Sequence, residues 1–195
     1  MFPPSIASLF RRWRDEHAFE RRATAVARAA LAEPDESDVR WLAERGTHGD
    51  EDHARWEWRY ARRAFTILVA QRDALDDRTG SAVAAAVGSA LARDPLIDAS
   101  KRRVATRQFN DRLAGYSAIL RDRDPSASTS ERLARALFGF AGTGDPSPAD
   151  ILRGGTALSS MLTDTNATLA LHFGAADLPS DIAPSALTRV SSRQP

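Results

Sequence analysis

Four groups of side chains in this 195-residue sequence have the types and spacing for chemistry. The first closes the stretch QRDALDDRT, where Arg72 stands with Asp73, Asp76 and Asp77. A guanidinium fork matches carboxylate or phosphate oxygens in pairs. These residues are therefore the candidate anion site of a small-molecule-binding or enzymatic helical bundle. Helical spacing puts Arg72 in the arc of Phe65 and Leu68, half-buried, with Asp76 at i+4 as its partner. The same residues also suit a structural tie, because buried charges are normally paired within the protein.

The second group is Lys101, Arg102, Arg103 and Arg107, a basic cluster suited to phosphate. If the helix carrying it starts near Ser100, three cations sit at the positive end of its dipole, where they are disfavoured. If it starts at Pro95, they fall in its second turn and the conflict shrinks. These residues are the nucleic-acid candidates. The absence of neighbouring aromatics for base stacking, and of a helix-turn-helix signature, argues against that use.

The third group, His48, Asp50, Asp52 and His53 in THGDEDH, offers imidazole and carboxylate ligands of the kind zinc or iron takes. It lacks a His pair at i, i+4 and a Glu-x-x-His pair facing a bundle interior. Acids are also favoured at a helix N-terminus for dipole reasons alone. No metal is assigned.

The fourth group is Trp56, Tyr60 and Ile67. They lie on a second apolar face of one helix, and Trp, Tyr and Arg are the residues that anchor interfaces. They are the interface candidates for a protein partner or self-association.

Other chemistries find no support. With no cysteine, disulfides, thiolate metal sites and thiol catalysis are excluded. There is no Gly-x-Ser-x-Gly elbow and no phosphate-binding glycine loop. No catalytic residue and no cofactor are assigned. A net charge of +1 gives no global argument for nucleic acid or an anionic membrane. Phe10 and Trp13 beside Arg11, Arg12 and Arg14 would suit a membrane-surface helix, but Asp15, Glu16 and Glu20 would be repelled by anionic lipid. No run reaches the ~20 apolar residues of a spanning helix. The start, MFPPSIASLFRRWRDEH, lacks the order of a signal peptide, so the expected location is the cytoplasm.

The elements that must position these groups are helical. Apolar residues recur at helical spacing, and β-branched and aromatic runs are sparse. The expected fold is a single all-α bundle of about six helices around a long central helix, Glu51 to Asp77. That helix is apolar over more than half its circumference, so it is surrounded or docks a partner. A first helix runs from a cap at Ser5 to about Ala32, and Val39 to Arg45 forms a short second one. Thr79-Gly80 should break the chain before an Ala-rich helix from Ser81 to about Arg93. A further helix ends near Arg121. Ser128 with Glu131, and Ser147-Pro148, mark two more helix starts, the last helix being weakened by Gly154-Gly155. The expected organisation is a core over 1–141, a linker over 142–147, a C-terminal helix over 148–174 and a disordered tail over 175–195. Residues 33–52 hold eight acids against two arginines, and 93–123 hold eight bases against four acids. The two blocks are expected to pair inside the fold, the alternative being that each faces a separate partner. The leading functional expectation is a non-enzymatic interaction or assembly module.

Overall fold

The computed structural model describes residues 6–74, 76–122, 126–143 and 145–174, with side chains from Trp13 onward. Seven α-helices run through them: α1 (Ile6–Ala29), α2 (Glu36–Gly46), α3 (Glu51–Asp73), α4 (Asp77–Ala92), α5 (Arg102–Arg121), α6 (Thr129–Ala141) and α7 (Pro148–Phe173). A 3-10 turn, Ala99–Lys101, precedes α5, and there is no strand among the described residues. The chain is an all-α bundle, as its periodicity implies.

Helix α3 lies at the centre, and each of the other six α-helices packs against it. Its apolar circumference is the reason: Trp58, Ala61, Ala64, Phe65, Val69 and Ala70 are all essentially inaccessible to solvent. Phe65 meets Tyr116 of α5 edge-on at 5.0 Å between ring centroids, and Trp58 lies 6.4 Å from Trp41 of α2.

The helix starts follow local chemistry. Asp35, Asp50, Ser128 and Ser147 each accept a backbone N–H from the first turn of their helix, offsetting donors that would otherwise be unpaired. Gly142, at a φ of 99°, closes α6 in the left-handed conformation that glycine adopts without strain.

The central helix is shorter than its sequence suggests. It stops at Asp73, not Asp77, and the chain turns through extended residues at Ala74 and Asp76; Leu75 lies outside the described residues. The cause is a competing cap. Asp76 accepts the Thr79 N–H at 2.6 Å and starts α4 at Asp77, four residues earlier than expected. Thr79 and Gly80 therefore sit inside α4 and do not break the chain. Gly80 is placed against α3, where a Cβ would stand 3.3 Å from the Ala70 carbonyl oxygen.

Gly154 and Gly155 leave α7 unbroken and let it approach its neighbours closely. A Cβ on Gly155 would come within 2.9 Å of the Ser130 carbonyl oxygen, and one on Gly154 within 3.2 Å of the Trp41 ring. Helix α7 thus packs along α6 and α3. Ser5 and the tail at 175–195 lie outside the described residues.

Three acids of the acidic block pair with arginines of α3 and α7. Glu33 pairs with Arg59, Glu36 with Arg55 and Asp38 with Arg153. None of these partners comes from the basic block at 93–123, because α2 lies against α3 and not against α5. Among the described residues no helix is long and apolar enough to cross a membrane.

Candidate functional site

Two buried ion pairs, both anchored on α3, shape the candidate site. At ~100° per residue Glu57 falls between Ala64 and Leu68, and Arg63 falls beside Trp56 and Ile67. Both point inward, and both are almost fully buried. Burying an unpaired charge is costly, so each needs a partner.

Arg112 of α5 supplies the partner for Glu57. Its Nε and Nη2 donate to the two carboxylate oxygens at 3.0 and 2.6 Å, and Nη2 also reaches the Phe140 carbonyl at 3.4 Å. His53 Nε2 stands 3.3 Å from the same carboxylate, one turn up α3. Tyr116 lies fully buried nearby, its hydroxyl without a hydrogen-bond partner among the described residues. Burial, with the charge of Glu57 adding to it, pushes that phenol far above its usual range.

Arg63 is partnered by Asp94, just beyond the end of α4, at 2.5 Å. Asp94 also accepts the Leu96 N–H at 3.0 Å, which fixes the turn that follows. Burial lowers the proton affinity of Arg63 while Asp94 opposes the shift. The guanidinium lies 5.6 Å from the Trp56 ring centroid, a cation–π distance.

Held apart and in register by these pairs, the first half of α3, the 96–98 turn and the start of α5 enclose a groove of about 620 Å³. Tyr60, Ile97 and Ala105 form its buried floor, with Trp56 half-buried on one wall. Leu96 and Val104, 60% and 52% exposed, stand at its edge. Tyr60 donates to Gln108 Oε1 at 3.2 Å, tying the walls together. No serine, threonine or cysteine lines the groove. His53 faces a carboxylate, as a general base would, but that carboxylate is already held by Arg112. The arrangement presents apolar surface and charge more than it presents a nucleophile.

Two expected sites converge here. Trp56 and Tyr60, the interface candidates, and Lys101, from the basic cluster, line the same groove. Tyr60 and Ile67 are buried, however, so the second apolar face of α3 is closed within the chain, leaving Trp56 as its accessible part.

Helix α5 starts at Arg102 with no side-chain cap, which puts Lys101, Arg102 and Arg103 at its positive end. These three and Arg107 are exposed, and none has an ion-pair partner among the described residues. All five arginines of α3 are, by contrast, hydrogen-bonded within the chain.

The expected anion site does not assemble. Arg72 is 58% exposed and pairs with its neighbour Asp73 through two 2.6 Å hydrogen bonds. The break after Asp73 removes the i+4 geometry that would have brought Asp76 to Arg72. Asp76 caps α4 instead, and Asp77 is exposed in its first turn. In the THGDEDH cluster Asp50 caps α3, His53 faces Glu57, and His48 holds a φ of 54° in the loop. Among the described residues no three His, Asp or Glu side chains converge on a metal position.

Sequence reasoning missed Glu57, Arg63, Asp94, Arg112 and the exposed pair Leu96 and Val104. A signal for the first two was present, since both interrupt apolar arcs on the helical wheel. Their partners lie 55 and 31 residues away, and no local pattern marks them. No family model matches this chain, and no curated protein and no solved structure is detectably similar to it.

Proposed function

We propose that this chain is a non-enzymatic interaction module that docks a protein through the groove between α3 and α5. The observation that carries this reading is the placement of Leu96 and Val104, two large apolar side chains left more than half exposed at the edge of a groove lined by aromatic, aliphatic and charged residues. Single exposed apolar residues need no explanation. Two beside a buried floor of Tyr60 and Ile97 and the wall formed by Trp56 have the composition of an interface centre, with aromatic anchors and a charged rim. Among the described residues the groove's lining offers no serine, threonine or cysteine, and the Glu57 carboxylate that His53 faces is already held by Arg112, which favours binding over catalysis.

The small-molecule and enzymatic reading rested on Arg72 as a semi-buried, available cation. Its exposure and its pairing with Asp73 withdraw that support.

The test is site-specific photocrosslinking in the native host, with a photoreactive residue at position 96 or 104 and a control at exposed Leu171 of α7. Discrete protein adducts at 96 and 104, absent at 171, are expected. Adduct mass separates a second copy of the chain from another protein. No adduct at either groove position would rule the reading out.

A further inference from the structure

Resting on that reading, we infer that the occupant of the α3/α5 groove is an amphipathic helix with acidic flanks, presented by a partner protein. The shape argues for a helix. The α5 wall offers Lys101, Val104, Ala105 and Gln108, and the α3 wall offers His53, Trp56, Glu57 and Tyr60. Each is an i, i+3, i+4, i+7 face, spanning about 11 Å at 1.5 Å per residue, or two helical turns. Two such faces side by side form the groove into which a third helix packs its own apolar stripe.

Charge identifies the flanks. Lys101 and Arg107 lie three residues before and after Val104, so they bracket it along the surface of α5. Both are exposed and unpaired among the described residues, as are Arg102 and Arg103. The start of α5 is also the positive end of a helix dipole with no side-chain cap. Acidic side chains along the α5 edge of a docked apolar stripe meet these cations, Lys101 lining the groove and Arg107 standing just outside it. Asp52 and Asp98 stand in the same groove. They oppose a continuous polyanion, so the site fits a peptide whose charge is confined to one edge better than a phosphate backbone.

The test titrates three probes into the isotope-labelled full chain, followed by amide NMR. The first is a capped helical peptide of about 15 residues with a leucine stripe and glutamate flanks. The second replaces its glutamates with lysines, and the third is a single-stranded DNA of similar length. The expected result is that the acidic peptide shifts the amides of Leu96, Val104 and Ala105 and binds at least about ten-fold tighter than the basic one. The double variant Lys101→Glu/Arg107→Glu should erase that preference without lowering the melting temperature, since both positions are exposed and an acid at the start of α5 suits its dipole.

Equal or tighter binding of the basic peptide would overturn the inference while leaving protein docking in place. Binding of DNA alone would overturn it in favour of nucleic acid. If no probe binds but residues 96 and 104 still crosslink to a protein, the inference fails and the docking reading stands. If neither occurs, both fail.

Discussion

Arg63 of α3 and Asp94, which follows the C-cap of α4, meet at 2.5 Å with both side chains buried. The pair ties the loop between α4 and α5 down onto the central helix. Through the second bond of Asp94, to the Leu96 N–H, it sets where the groove edge stands. Two nitrogens of Arg63, Nε and Nη1, remain buried without hydrogen-bond partners among the described residues. Asp94 is therefore the main compensation for that charge.

Asp94→Ala should cost about 3–5 kcal/mol, because it strands a buried guanidinium. Replacing both partners with apolar residues, Arg63→Met with Asp94→Leu, should recover most of the loss. Urea denaturation of the three variants measures both effects. A loss below about 1 kcal/mol for the single variant would show that the site opens to water, not that it is held closed.

The Glu57–Arg112 pair predicts a loss of similar kind. Arg112→Met strands the buried Glu57 carboxylate with only His53 beside it, and should cost about 3–5 kcal/mol at neutral pH. Urea denaturation of the variant and the parent chain measures the loss; one below about 1 kcal/mol would mean that Glu57 finds another partner.

The sequence discloses local structure here and conceals pairings. Asp50, Ser128 and Ser147 announce helix starts because a cap acts within three residues. The burial of α3 is legible because its apolar arcs are wide. The end of α3 is hard to read because two punctuators, Asp76 and Gly80, compete within five residues. Glycine at 80 is the louder in composition, but the carboxylate of Asp76 satisfies a helix N-terminus while Gly80 serves packing against Ala70. Arg72 was misplaced as a consequence, since its i+4 partner exists only if the helix continues. The groove was half legible. Trp56, Tyr60 and Lys101 were each singled out, but their meeting depends on the crossing of α3 and α5, which no window of sequence contains.

The Asp76 cap carries a pH dependence. Hydrogen bonds from Thr79 hold its carboxyl below the usual range in the folded chain. A depressed carboxyl contributes stability that is fully present above its unfolded value of about 3.9 and is lost as pH falls through the lowered folded value. Asp76→Ala should thus melt below the parent at neutral pH, with the gap narrowing as acid protonates the parent. Thermal melts from about pH 7 to about pH 2.5 check this. A gap that widens in acid would mean that Asp76 acts on the fold by some route other than its charge.

Two glycine-to-alanine substitutions in helices should move stability in opposite directions. Alanine is the better helix former by about 1 kcal/mol, so the outcome depends on the space available to the new methyl. At Gly88, in the exposed part of α4, a Cβ meets nothing within 4 Å. Gly88→Ala should therefore stabilise the chain by up to about 1 kcal/mol. At Gly155 the Cβ would come within 2.9 Å of the Ser130 carbonyl oxygen and 3.1 Å of its carbon, both backbone atoms that cannot rotate away. Either α6 or α7 must shift, and overpacking of that kind costs about 1–3 kcal/mol, enough to outweigh the propensity gain. Denaturant midpoints of the two variants decide the matter. A stabilising Gly155→Ala would mean that α7 is free to slide on α6, and that the glycine pair is not what sets their separation.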